Sequence, residues 1–117
     1  MLGNKVFAYL FPTFCLLILI NGSNFIDGIN GLLISYSVIV IYILGNLGLI
    51  SDQIIFDQYF LQILLLMLLL LLLNILNILM LGDGGAYLLS FFLGFLVINS
   101  HQNNPDISPY FYISLIW

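Results

Sequence analysis

Charge is what this chain of 117 residues has least of. It carries one lysine, Lys5, no arginine, and five acids: Asp27, Asp52, Asp57, Asp83 and Asp106. Charged residues are 5% of the chain, whereas a soluble domain uses about a quarter of its residues to meet water. A water-clothed globule is therefore excluded. With no basic patch, and a net charge of −4, the chain offers nothing to a nucleic-acid partner. A single cysteine, Cys15, excludes an intramolecular disulfide and reads as packing within its apolar run. No internal repeat is visible, and the leucine-rich run at 64–73 is the biased composition of a lipid-facing helix.

What is abundant is hydrocarbon. Hydrophobic residues make up 63% of the chain, and the mean hydropathy is +1.24. The chain reads as an all-α, multi-pass transmembrane helix bundle, a single membrane region over residues 1–117. About four complete spans are expected, at Val6–Ile20 with Pro12 as a kink, Gly31–Ile50, Tyr59–Met80 and a short one at Ala86–Ile98. A fifth begins at Tyr110 and stops at Trp117, short of the ~20 residues a span needs, so it reads as truncated. The start resembles a signal peptide in having Lys5 before an apolar run, but no small-x-small cleavage site follows near Asn21.

Four polar breaks separate these segments: NGSNFIDGING (21–31), SDQIIFDQ, LGDGG and NSHQNNPDISP. Because spans alternate direction, the first and third breaks share one membrane face, so Asp27 and Asp83 can meet. Asp52, Asp57, His101 and Asp106 belong to the other face, where His101 reads as a surface histidine. Lys5 alone would put the amino terminus inside, a weak basis for orientation.

In the first break Asn21, Asn24, Asp27 and Asn30 recur every third residue, a stripe of amide and carboxylate oxygens whose neighbours share a helix face. The plain alternative is a turn, since Asn, Asp and Gly are what turns use. In the third break Asp83 lies between glycines at the mouth of a span. Bare backbone N–H groups and a helix amino terminus there suit a phosphate, and a carboxylate suits Mg²⁺, which takes one or two carboxylates plus substrate phosphates. Ionisable groups near a span are candidate sites by default. The residues point to a Mg²⁺-dependent site for a phosphorylated ligand, or to a proton or cation pathway lined by Asn and Asp.

The two breaks together resemble the polyprenyl-phosphate N-acetylhexosamine-1-phosphate transferases. Their NxxNxxDGxxGL segment is matched by Asn21, Asn24, Asp27, Gly28, Gly31 and Leu32, and their F-[ML]-G-D-x-G segment by Met80 through Gly85. The resemblance implies transfer of a sugar-1-phosphate from a UDP-N-acetylhexosamine to polyprenyl phosphate, with release of UMP, in cell-wall or surface polysaccharide synthesis. It implies Mg²⁺ on Asp83 and Asn24, catalytic roles for Asp27 and Asp83, and substrate contacts at Asn21, Asn24, Asn30 and Gly84, with Asn30 at the uracil. It also implies a multi-pass protein of the cytoplasmic membrane whose motif loops face the cytoplasm.

Several features depart from that pattern. Met80 stands where the family stacks a Phe on uracil, and the approach to Asp83 reads NILNILM in place of a segment with Pro and Lys. Asn74 and Asn77 in that approach are expected to hydrogen-bond between helices. The family's paired-acid loop and basic, His-containing loop are not present, so the chain is expected to be the middle of a longer, roughly ten-span transferase, inactive alone. An ion- or solute-transport subunit and a non-catalytic membrane subunit are the competing expectations.

Overall fold

The computed structural model describes residues 2–29, 31–50 and 54–116, and every regular element among them is a helix. They are α1 (Leu2–Ile26), α2 (Leu32–Asn46), α3 (Ile54–Ile75), α4 (Gly82–Asn103) and α5 (Pro109–Ile116). The fold is all-α, as expected.

Span lengths differ from the expectation. Tyr9–Ile26 of α1 and the 22 residues of α4 are long and apolar enough to cross a membrane, since ~20 residues cover ~30 Å. The apolar helices Leu32–Asn46 and Tyr59–Ile75 are shorter. Helix α1 continues six residues past the expected end at Ile20, so half of the first polar break is helical. Helix α4 starts four residues before Ala86 and ends five after Ile98, and it needs no thinned lipid.

The early stops of α2 and α3 have one cause. After α2, the Gly48 N–H bonds the Gly45 carbonyl and the Leu49 N–H reaches back to Leu44. Gly48 takes the left-handed conformation this Schellman cap requires, with φ 67°. After α3, Asn77 at φ 57° plays the same part, with Asn77 N–H on Asn74 and Ile78 N–H on Leu73. Hydropathy does not register such a stop, because Leu49, Ile50, Ile78 and Leu79 are as apolar as the helices they follow. Helix α1, by contrast, runs through Pro12.

Helix α1 packs chiefly on α4, and the two are antiparallel. Phe11 and His101 line one apolar cavity with Cys15, and Leu16 and Leu19 close on Gly94 further along. Helix α3 is antiparallel to α2, with Gly31 against Ile75 at one end and Gly45 against Phe60 at the other. Helices α2 and α4 run parallel through Leu33, Ile34, Ala86 and Leu89, then Val40, Leu44, Leu93 and Leu96. Helix α5 returns along α4, where the Tyr112 hydroxyl donates to the Ser100 carbonyl at 3.2 Å.

Small polar residues sit at the centre of these contacts. Ser23, Ser37, Ser90 and Ser100 are buried, and each hydroxyl donates to the carbonyl four residues earlier on its own helix. Serine thereby lets helices approach closely with its hydroxyl satisfied. On the outer side of α3, Leu61, Leu65, Leu68, Leu69 and Leu72 stay exposed.

Candidate functional site

The antiparallel pairing of α1 and α4 brings the carboxyl end of one to the amino end of the other. The last turns of α1 carry Asn21 and Asn24, the turn after it carries Asp27, and the first turn of α4 carries Asp83 and Gly84. Asp27 and Asp83 lie at the same end of the bundle, near enough for the charge of one to act on the other. Burial pushes the Asp27 carboxyl above the ordinary aspartate range, and the charge of Asp83 raises it further. Asp106 lies beyond the far end of α4, while Asp52 falls outside the described residues.

The four members of the first polar series have different fates. Asn21 is exposed and its Nδ2 donates to the Leu17 carbonyl at 3.0 Å, so this amide partly serves its own helix. Asn24 is half-buried, and its Oδ1 is a buried acceptor with no hydrogen-bond partner. Asp27 continues the helical pattern for one more bond, its N–H reaching the Ser23 carbonyl at 2.9 Å. Asn30 lies outside the described residues. The every-third-residue spacing thus spans a helix end and the turn that follows it, and the helix and turn readings each hold for half of the stretch.

Across from it, the amino end of α4 has no side-chain cap. The first backbone N–H groups of any helix lack intrahelical acceptors and carry the positive end of its dipole. Asp83 and Gly84 are exposed, and a Cβ added at Gly84 would meet nothing within 4 Å. Space for a ligand is therefore open beside those donors, as a phosphate requires. Met80, at the expected uracil-stacking position, is 77% exposed.

The donor set bears on the metal that the resemblance implies. Among the described residues no three His, Cys, Asp or Glu side chains gather, which fits poorly with a transition metal held by the protein alone. One carboxylate and one buried, partnerless amide oxygen fit a Mg²⁺ that takes its remaining oxygens from phosphate and water. The resemblance assigns these parts to Asp83 and Asn24.

One residue departs from the sequence reading, and another goes further than it. His101 is half-buried and not on the surface, with its ring 5.2 Å from that of Tyr112 and Nδ1 buried without a partner. Asn74 does bond between elements, as expected, but to the first polar motif itself. It is 4% exposed, its Oδ1 accepts the Gly31 N–H, and its Nδ2 donates to the Leu79 carbonyl at 2.9 Å. The available signal was an amide closing a long apolar run, a position where an unpaired polar group is costly.

Comparison with known families finds that the model described as glycosyl transferase family 4 matches residues 2–101. The match covers α1 through most of α4 and so both polar motifs. No curated protein and no solved structure matches the chain.

Proposed function

Since this chain belongs to glycosyl transferase family 4, we propose that it carries the metal and nucleotide half of a sugar-1-phosphate transferase site. The donor is a UDP-N-acetylhexosamine, the acceptor is polyprenyl phosphate, and the products are a lipid diphosphate sugar and UMP. The observation that supports this most is the partnerless Oδ1 of Asn24 at the end of the bundle that holds Asp27 and Asp83. An acceptor left buried costs free energy unless something coordinates it.

In this reading Asp83 and Asn24 would hold Mg²⁺ at the donor's diphosphate site. The ion, when bound, offsets phosphate charge and stabilises the departing UMP. Gly84 and the uncapped amino end of α4 present N–H donors to a phosphoryl oxygen. Asn21 and Asn30 contact the nucleotide, with Asn30 at the uracil. The acceptor phosphate's oxygen attacks the sugar-linked phosphorus, the bond to the UMP oxygen breaks, and the sugar-1-phosphate moves to the lipid.

One lysine and no arginine leave this chain few positive charges of its own to meet three phosphates. In this reading the exposed leucines of α3 face lipid, α1 and α4 cross the bilayer, and both motif loops face the cytoplasm, where UDP-sugars are made.

The test is Asp83→Ala in the complete protein, in detergent or nanodiscs, with UMP release followed against Mg²⁺. Turnover should vanish. Mg²⁺-dependent release at the wild-type rate would remove Asp83 from the metal site. Ion flux in liposomes without need of a nucleotide sugar would replace the transferase reading with a transporter.

A further inference from the structure

We infer that Asn74 is a positioning residue that holds the two polar motifs in register. Its amide reaches both. Oδ1 accepts the N–H of Gly31, which closes the first motif four residues after Asp27, and Nδ2 donates to the carbonyl of Leu79, four residues before Asp83. The orientation is unambiguous, because a flipped amide would set NH₂ against the Gly31 N–H and oxygen against the Leu79 carbonyl.

The setting gives these two bonds leverage. Asn74 is buried at the last turn of α3, where water cannot take its place. Gly31 sits at φ 81° with α3 so close that an added Cβ would lie 2.8 Å from Ile75 Cγ1. Leu79 belongs to the non-helical segment between α3 and α4. Backbone bonds to Leu73 hold Ile78 and Leu79 against the end of α3; the Asn74 amide adds the bond from that end to the turn after Asp27, and both segments lie outside helices. One side chain thus ties two loops whose carboxylates share a site, and it does so from beneath them, with no part in binding.

The geometric claim stands on hydrogen bonds alone; only its chemical consequence rests on the proposed transferase reading. The test separates them. In a Cys15→Ser background, spin labels at Ile29→Cys and Met80→Cys, both exposed, report the distance between the loops without any substrate. Labels at Phe14→Cys and Phe95→Cys, also exposed, report α1 against α4. Asn74→Leu keeps the side chain's size and removes both bonds. The loop-to-loop distribution should broaden or shift while the α1–α4 distance stays as in the wild type. An unchanged loop distance refutes the tether, and a change in both distances makes Asn74 a general packing residue and refutes positioning as well.

In the complete protein the same variant should lower kcat by about a hundredfold, as small misplacements of reacting groups do, with KM for the lipid acceptor little changed. A matching rise in KM with kcat intact would contradict the positioning role. If the loops separate but the wild type releases no UMP, the tether stands and the transferase reading fails.

Discussion

The partnerless oxygen of Asn24 makes stability and function pull in opposite directions, and the size of the effect can be worked out. Asn24→Leu replaces the amide with an apolar group of similar volume in the last turn of α1. A buried acceptor without a partner costs about 1–3 kcal/mol, and Leu adds a few tenths in helix propensity. The unfolded chain in detergent also finds partners for its polar groups, which trims the gain. The variant should therefore be more stable than the wild type by about 1–2 kcal/mol, a factor of roughly 5–30 in the folded ratio. Thermal unfolding in detergent without ligand reads this directly. With Mg²⁺ and UDP-N-acetylglucosamine present at a hundredfold excess over Kd, the wild type should gain about 2.7 kcal/mol. Asn24→Leu should lose most of that gain. A variant that melts earlier than the wild type without ligand would refute the account of the oxygen as an unmet acceptor. An undiminished ligand shift would refute its place in the metal site.

Two further outcomes follow from the same end of the bundle. Asp27 has a folded pKa raised above its ordinary 3.8, so the native state holds its proton longer than the unfolded chain. Its contribution therefore makes stability fall as pH rises from about 3.8 through the folded value. Asp83→Asn removes the smaller cause and leaves burial, so a carbon-detected titration should show Asp27 moving part of the way back; no movement would place the two carboxylates out of reach of each other. Gly31→Ala forces a side chain into the left-handed region and against Ile75, which should cost about 1–3 kcal/mol. Denaturation followed by circular dichroism measures that loss, and an unchanged midpoint would mean the turn is not held as described.

Much of the site was legible because its residues break a strong pattern. In a chain with so little charge, Asp27 and Asp83 stand out, and alternation of spans puts them on one face before any helix is drawn. Antiparallel α1 and α4 then bring them together. The helix ends were less legible. Gly48 and Asn77 stop their helices through one left-handed residue each, inside runs whose hydropathy does not change. The role of Asn74 was half readable. An amide in an apolar run must find a partner, but the Gly31 N–H lies 43 residues away in sequence, and no local pattern encodes that meeting. The burial of His101 had no local signal either, since it depends on Tyr112 arriving from α5.

The self-bonded serines have a consequence for how the bundle moves. Ser23, Ser37, Ser90 and Ser100 each close their hydroxyl onto their own helix, so none of these hydroxyls latches one helix to another. The side-chain bonds between elements come from other residues: Asn74 with Gly31, Asn104 Nδ2 on the Leu49 carbonyl, the Tyr36 hydroxyl on the Leu115 carbonyl and the Tyr112 hydroxyl on the Ser100 carbonyl. The serine contacts themselves are smooth bearings. Helices can shift by small amounts at those serine contacts without unmaking a serine hydrogen bond.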